Sequence, residues 1–170
     1  TSDSKKLGIG IIYQEFSLVP DLSVSENIFL NRFNQDIWVH WKEMAQNASE
    51  LIQSLGFSID PFQKVSSLSI AEQQIVEIAK ALSEKVKVLI LDEPSAVLGT
   101  KDIEKLFAII KGLKKQGVSI IYISHHMSEI FTIADRVTVI KDGSTIESLD
   151  INETNKDSLI ALMLGRTLGN

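Results

Sequence analysis

Residues 88–94 read VLILDEP, an apolar run that ends in two adjacent carboxylates and a proline. Because neither face of the run carries a polar side chain, it predicts a β-strand buried on both faces, as in a parallel sheet covered by helices. Asp92 and Glu93 would then lie at the carboxyl end of the strand, the edge where ligands bind in open α/β sheets. A strand end followed by a polar turn gives the same pattern, so this stretch alone does not define a site.

Similar apolar runs recur along the chain and alternate with amphipathic stretches. Residues 9–13, 118–123 and 137–140 each predict a strand, and residues 103–113 and 127–134 repeat apolar side chains at helical spacing. The alternation of strands and helices in the second half of the chain predicts an α/β fold with a mostly parallel sheet flanked by helices.

Residues 21–82 have a different pattern, without a convincing strand. Two apolar helix faces are visible there, one over residues 45–55 that Gly56 stops and one over residues 75–82. They predict a mostly helical insertion between the first two strands. Near the end of the chain, Asp142-Gly143 predicts a tight turn into a short strand over residues 144–147, and residues 159–164 predict a last short helix.

The composition excludes several classes of protein. The 170 residues carry a formal net charge of −5 and no basic stripe, which argues against a non-specific nucleic-acid binder. The chain contains no cysteine, so disulfides and cysteine-ligated metals are excluded. Its apolar runs are far shorter than the roughly 18 residues of a membrane span.

Four further motifs accompany the acidic strand end in a fixed order. Gln14 follows the first strand, residues 68–73 read LSIAEQ, residues 96–99 follow the acidic pair, and His125 follows the strand over 118–123. This order resembles the ATP-binding cassette (ABC) family, with a Q-loop, a signature motif, a Walker B motif with its glutamate, a D-loop and a switch histidine. The resemblance covers essentially the whole chain and implies a P-loop NTPase-like fold that binds ATP and Mg²⁺.

The chemistry of these residues suits that resemblance. Asp92 would hold Mg²⁺, usually through water, and Glu93 would take a proton from the attacking water. Gln14, a neutral donor and acceptor, would contact Mg²⁺ or that water. His125 would donate to a phosphate oxygen and steady Glu93.

The signature segment also has the pattern of a helix start. Ser69 and Glu72 have the spacing of a capping box, and a capped helix N-terminus presents N–H groups that suit a γ-phosphate. The resemblance implies that Ser69, Ala71 and Glu72 reach the nucleotide of the opposite subunit in a head-to-tail dimer. The family pattern is LSGGQ; here Ile70 and Ala71 replace the glycines, and Glu72 replaces the glutamine, which limits close backbone approach.

One expected motif is absent from the sequence. The phosphate-cradling Walker A loop, G-x-x-x-x-G-K followed by Ser or Thr, does not occur at any glycine. In the family it lies upstream of the Q-loop strand. We therefore expect the N-terminal part of the fold to be missing because residues before Thr1 have been lost, with a naturally degenerate domain as the alternative.

Longer stretches resemble one branch of the family. Residues 10–20, 22–30 and 68–82 are similar to the ATPase subunits of bacterial monosaccharide importers of the ribose, galactose and xylose type. Residues 162–168 resemble the end of the first of two tandem cassettes. The resemblance implies ATP hydrolysis that powers sugar import, on the cytoplasmic face of the membrane. The implied partners are permease subunits, a second cassette and, indirectly, a periplasmic or extracellular sugar-binding protein; nucleic acid is not among them.

The resemblance also divides residues 1–170 into parts of a partial cassette. Residues 1–20 and 83–150 would form the catalytic core, residues 21–82 the helical subdomain, and residues 151–170 the last helix and the start of a linker. Two alternatives stay open: a cytosolic ABC ATPase that does not serve transport, and a catalytically silent cassette that acts as an interaction module.

Overall fold

The computed structural model describes residues 2–30 and 40–165, and the chain divides into two compact units, Thr1–Ile123 and Ser124–Asn170. The first unit contains a three-stranded sheet with its helices, and the second contains a β-hairpin with two helices. The predicted linker start from residue 166 onward lies outside the described residues. No helix in the described part of the chain is long and apolar enough to cross a membrane.

The sheet of the first unit is parallel and has the order β1 (Ile9–Ile12), β2 (Val88–Asp92), β3 (Ser119–Ile123). A short helix, α1 (Ser2–Lys6), precedes β1. The three strands and their parallel direction were predicted from the apolar runs. Their register aligns the carboxyl ends, because Ile12 pairs with Leu91 and Asp92 pairs with Ile123.

Only one face of this sheet is well covered, which corrects the prediction of strands buried on both faces. Leu89 and Leu91 are each 1% exposed and point to the covered face. There α5 (Thr100–Lys115) packs on β3, with the rings of Phe107 and Tyr122 in edge-to-face contact at 6.3 Å between centroids. On the opposite face Ile121 remains 49% exposed, because α5 covers one side only.

The region between β1 and β2 is mostly helical in its described part, as predicted. It contains α2 (Val24–Phe29), α3 (Trp41–Ser54) and α4 (Ile70–Leu82), together with the 3₁₀ turn Val65–Ser67. The predicted apolar faces are buried, as Ala48, Ile52 and Ile78 illustrate. An isolated bridge between Ser23 and Lys64 is the one β contact among the described residues of this region.

Backbone hydrogen bonds join the start of this helical region to residues 63–65, ahead of α4. The N–H of Val24 donates to the carbonyl of Gln63 at 3.0 Å, and the N–H of Val65 donates to the carbonyl of Leu22 at 3.1 Å. The fully buried side chain of Asn27 accepts from the N–H of Val19 at 2.7 Å and donates to the carbonyl of that residue at 3.0 Å. The segment after β1 is therefore held against the segment that leads into α4.

The second unit is built on an antiparallel hairpin of β4 (Arg136–Lys141) and β5 (Ser144–Asp150). Asp142 and Gly143 have φ values of 49° and 76°, as a two-residue type I′ turn requires, which confirms the predicted turn. The hairpin lies between α6 (Met127–Ile133) and α7 (Lys156–Leu164) in the chain, and a 3₁₀ turn, Ile151–Glu153, precedes α7. Both β5 and α7 are longer than predicted.

Candidate functional site

The acidic pair lies where β2 ends. Asp92 is the last residue of the strand and is half-buried, and Glu93 follows with its N–H donating to the carbonyl of Ile123 at 3.0 Å. Glu93 has a φ of 49°, in the left-handed region that a residue with a Cβ occupies at a cost of about 1–2 kcal/mol. Such strained residues cluster at functional sites, which makes Glu93 a candidate on conformational grounds as well as chemical ones.

Gln14 lies at the same edge of the sheet. Its side chain is exposed, and it lies two residues after Ile12, the last residue of β1. Ile12 pairs with Leu91, and Glu93 likewise lies two residues after Leu91. The register therefore brings the predicted Q-loop and the acidic pair to the carboxyl edge of adjacent strands. Carboxylate and amide oxygens are the donors that suit Mg²⁺, so these side chains fit the ion that the sequence predicts there.

The predicted signature segment begins α4 and forms the predicted capping box. Ser69 is the N-cap; its N–H and its hydroxyl each donate to Oε2 of Glu72 at 2.8 Å, and the N–H of Glu72 donates back to Oγ of Ser69 at 3.3 Å. Ile70, at the first helical position, is 50% exposed. The start of α4 is thus already capped by its own carboxylate.

The same box occurs at a second helix. Ser23 caps α2, and its N–H and hydroxyl donate to Oε2 of Glu26 at 2.7 and 2.6 Å. The hydrogen bond from the hydroxyl of Ser23 lowers the pKa of Glu26 most, and the hydrogen bond from the N–H of Ser23 lowers it further. Burial raises this pKa by less, so it stays below its ordinary value. Because none of the five predicted cassette motifs lies at α2, the box alone does not mark a functional site.

What distinguishes the start of α4 is a cleft of about 470 Å³ that it shares with the predicted D-loop. Ser69 and Glu72 from the start of α4 line the cleft, and so do Val97 and Gly99 from the predicted D-loop. Lys105 also lines it; its Nζ lies 3.1 Å from Oδ1 of Asp102 and 5.7 Å from the centroid of the Phe57 ring. The sequence predicted both segments but not that they would line the same cleft.

His125 belongs to the second unit. It is exposed and its ring lies 4.2 Å, between centroids, from the ring of His126. Ser124 Oγ accepts from the N–H of His126 at 3.0 Å and donates to Oε2 of Glu129 at 3.1 Å. The contribution of His125 to the acidic edge of the first unit stays a prediction.

Sequence reasoning missed a polar cluster on the middle of α4, where Glu77 and Lys80 contact Ser17. Glu77 is 5% exposed and lies among apolar residues of the helix. A charged residue within the apolar stretch over 75–79 was the signal that could have indicated a buried partner, because buried carboxylates are almost always paired.

A parallel sheet with an acidic pair at its carboxyl edge and a helical insertion after its first strand is an α/β arrangement of the P-loop NTPase type. The family model described as ABC transporter matches residues 1–96. The chain therefore belongs to the ABC transporter family, as its motifs predicted.

Several curated relatives are named as sugar-import ATP-binding proteins. The chain is 48% identical to "Ribose import ATP-binding protein RbsA 3" of Rhizobium meliloti, over 99% of this chain and 33% of the relative. It is 44% identical to "Xylose import ATP-binding protein XylG" of Moorella thermoacetica, over 98% of this chain and 33% of the relative. The chain thus spans about a third of the length of these proteins.

Solved structures show the same fold. The ATP-binding cassette MJ0796, in a dimeric post-hydrolysis state with ADP and Pi, superimposes with a TM-score of 0.72 at 25% identity, over 84% of this chain and 62% of that one. The cbiO1 protein of Clostridium perfringens, part of the ABC transporter complex cbiONQ, gives 0.74 at 25% identity, over 87% and 59%.

Proposed function

We propose that this chain forms part of a cassette that binds and hydrolyses ATP to drive the import of a monosaccharide. The observation that supports the proposal is the shared carboxyl edge of β1 and β2, at which Asp92 ends β2 and Gln14 follows β1 by two residues. The names of the ribose and xylose import relatives support the sugar as cargo.

The proposal assigns a role to each of the four predicted residues. Bound ATP supplies the phosphoanhydride bond and Mg²⁺ supplies charge compensation for its phosphates. Asp92 holds the ion, and Glu93 accepts a proton from the water that attacks. Gln14 orients that water or contacts the ion, and His125 donates a hydrogen bond to a phosphate oxygen.

The cleft at the start of α4 serves the opposite cassette in a head-to-tail dimer. Ser69, Ala71 and Glu72 face the phosphate of the partner's nucleotide there, and the N-terminal end of α4 favours an anion. The dimeric state of a similar cassette supports this arrangement. Ile70 and Ala71 carry side chains where the family has glycine, so the phosphate is held less closely than in cassettes with the standard motif.

The proposed setting is the cytoplasmic face of the cell membrane. The partners there are permease subunits, a second cassette that follows in tandem, and, through the permease, a periplasmic or extracellular sugar-binding protein. Within the chain, residues 1–20 and 83–150 belong to the catalytic core, residues 21–82 to the helical subdomain, and residues 151–170 to the last helix and linker.

Two conservative substitutions in the intact gene product test the proposal. Glu93→Gln removes the base and should lower the turnover of ATP by ~10²–10⁴, or about 3–5 kcal/mol of barrier, with nucleotide binding retained. Asp92→Asn should instead weaken binding that depends on Mg²⁺. Turnover and nucleotide affinity are measured for both; equal and small effects would show that the two acids only end a strand.

A further inference from the structure

Three polar residues join the segment after β1 to the middle of α4. The N–H of Ser17 donates to the carboxylate of Glu77 at 2.5 Å, and the hydroxyl of Ser17 donates to the same carboxylate at 3.3 Å. Nζ of Lys80 donates to the carbonyl oxygen of Ser17 at 2.9 Å and to its Oγ at 3.0 Å. We call this set of contacts the Ser17 clamp.

The clamp satisfies every polar group of Ser17 with a charged side chain. Hydrogen bonds to ionised groups are roughly twice as strong as neutral ones. Glu77 is also 5% exposed, so a movement of Ser17 away from it would remove donors from a buried carboxylate. Breaking these hydrogen bonds therefore costs free energy at both partners, Ser17 and Glu77.

Packing alone does not fix the segment at this place. A cleft of about 460 Å³ adjoins the clamp and is lined by Tyr13, Ser17, Glu77 and Lys80, among others. Tyr13 itself is 57% exposed. Since there is room for residues 13–17 to shift, the hydrogen bonds to α4 restrain this part of the segment, and the contact of Val19 with Asn27 anchors the residues that follow.

The position of the clamp in the chain gives it a functional meaning. Ser17 lies three residues after Gln14, and Glu77 lies on the helix that Ser69 caps. We propose that Glu77 and Lys80 are positioning residues that hold Gln14 at a fixed position relative to α4, the helix that carries the signature segment at its start. The proposal rests on the proposed function for the role of Gln14. In the head-to-tail dimer, Gln14 serves the site of its own chain and Ser69 that of its partner, so the clamp links the two.

Backbone amide relaxation and hydrogen exchange in the full chain test the clamp without nucleotide. Glu77→Ala removes both acceptors; the Ser17 amide should exchange at least about tenfold faster, and the order parameters of residues 14–16 should fall from about 0.85 to below about 0.6. The amides of β1 and of the rest of α4 should be unchanged. Glu77→Gln keeps one acceptor and should restore most of the protection.

Two further variants keep the test decisive if Glu77→Ala does not fold. Lys80→Met retains the aliphatic stem but removes the donor to Ser17, so residues 14–16 should again lose order. Glu43→Gln removes a charge from the exposed surface of α3 and should leave residues 14–17 unchanged. Order at residues 14–16 that survives the loss of either clamp residue would overturn the proposal. Because no nucleotide is involved, failure of the proposed ATPase activity would be seen separately, in the turnover of Glu93→Gln.

Discussion

Glu93 occupies a left-handed conformation that glycine would adopt without strain, and this makes its backbone contribution measurable. Glu93→Gly and Glu93→Ala both remove the carboxylate, but only glycine relieves the positive φ. We expect the glycine variant to be more stable than the alanine variant by about 1 kcal/mol. Chemical denaturation of the two variants gives this difference.

Glu104, exposed within α5, provides the matched position. There the order should reverse, and Glu104→Ala should be more stable than Glu104→Gly by about 1 kcal/mol, because glycine is a poor helix former. If alanine were the more stable residue at both positions, Glu93 would not be strained.

The two capping boxes make it possible to distinguish the stabilising role of an N-cap from a contact with a ligand. Ser69→Ala and Ser23→Ala each remove an N-cap and should each cost about 1 kcal/mol of unfolding free energy. Only Ser69→Ala should also weaken nucleotide-dependent dimerisation of the intact gene product, measured by size-exclusion chromatography with and without ATP. Equal effects of the two variants on dimerisation would reduce the signature segment to a cap.

Residue types and spacing predicted those contacts of the site that join residues close in sequence, and they missed a contact between residues far apart in sequence. The Ser69–Glu72 box is confirmed because its hydrogen bonds join residues three apart on one helix start. The contact of Ser17 with Glu77 spans sixty positions, and only the folded arrangement of β1 and α4 brings it about. The positive φ of Glu93 was equally hidden, since nothing in the preference of a glutamate indicates it.

At the scale of elements, periodicity predicted helices and strands in the right order but not what covers them. The apolar pattern of β3 shows that both faces are suited to burial, and it carries no information on whether a helix lies over each face. The structure gives α5 on one side, while Ile121 and Ile123 on the other are 49% and 46% exposed. A pattern of residue types thus sets what a strand can bury rather than what it does bury.

The outer edge of β3 predicts self-association. Among the described residues no strand pairs with it on the side away from β2, and exposed apolar edges recruit other strands. We therefore expect the 170-residue chain to associate in a concentration-dependent way in light scattering. Ile121→Lys should reduce that association, because a charge on an edge strand opposes pairing.

Ile160→Lys on α7 is the control, since it adds the same charge to a partly exposed apolar position on a helix. It should leave the association unchanged. A parent chain that stays monomeric at high concentration, or an equal effect of both lysines, would contradict an interaction through β3.

For the whole molecule, the missing Walker A sequence has a direct consequence. The 170-residue chain by itself should neither bind ATP tightly nor hydrolyse it, because the β- and γ-phosphates have no lysine and no N–H cradle. Calorimetric titration and phosphate release against a buffer baseline measure this. If the chain released phosphate from ATP and Glu93→Gln abolished this release, the expectation would be refuted. Phosphate release that Glu93→Gln leaves unchanged comes from a contaminating enzyme.

The Ser17 clamp also shortens the path by which the sheet closes. Ile9 pairs with Val88, so β1 and β2 would otherwise have to meet across the entire helical region. With Ser17 bound to Glu77, eight positions separate Ile9 from Ser17 and eleven separate Glu77 from Val88. Loop-closure entropy grows with the logarithm of length, so this contact lowers the cost of joining the strands by about 1 kcal/mol. In topological terms, a strand pair that is remote in sequence becomes nearly local once Ser17 is bound to α4.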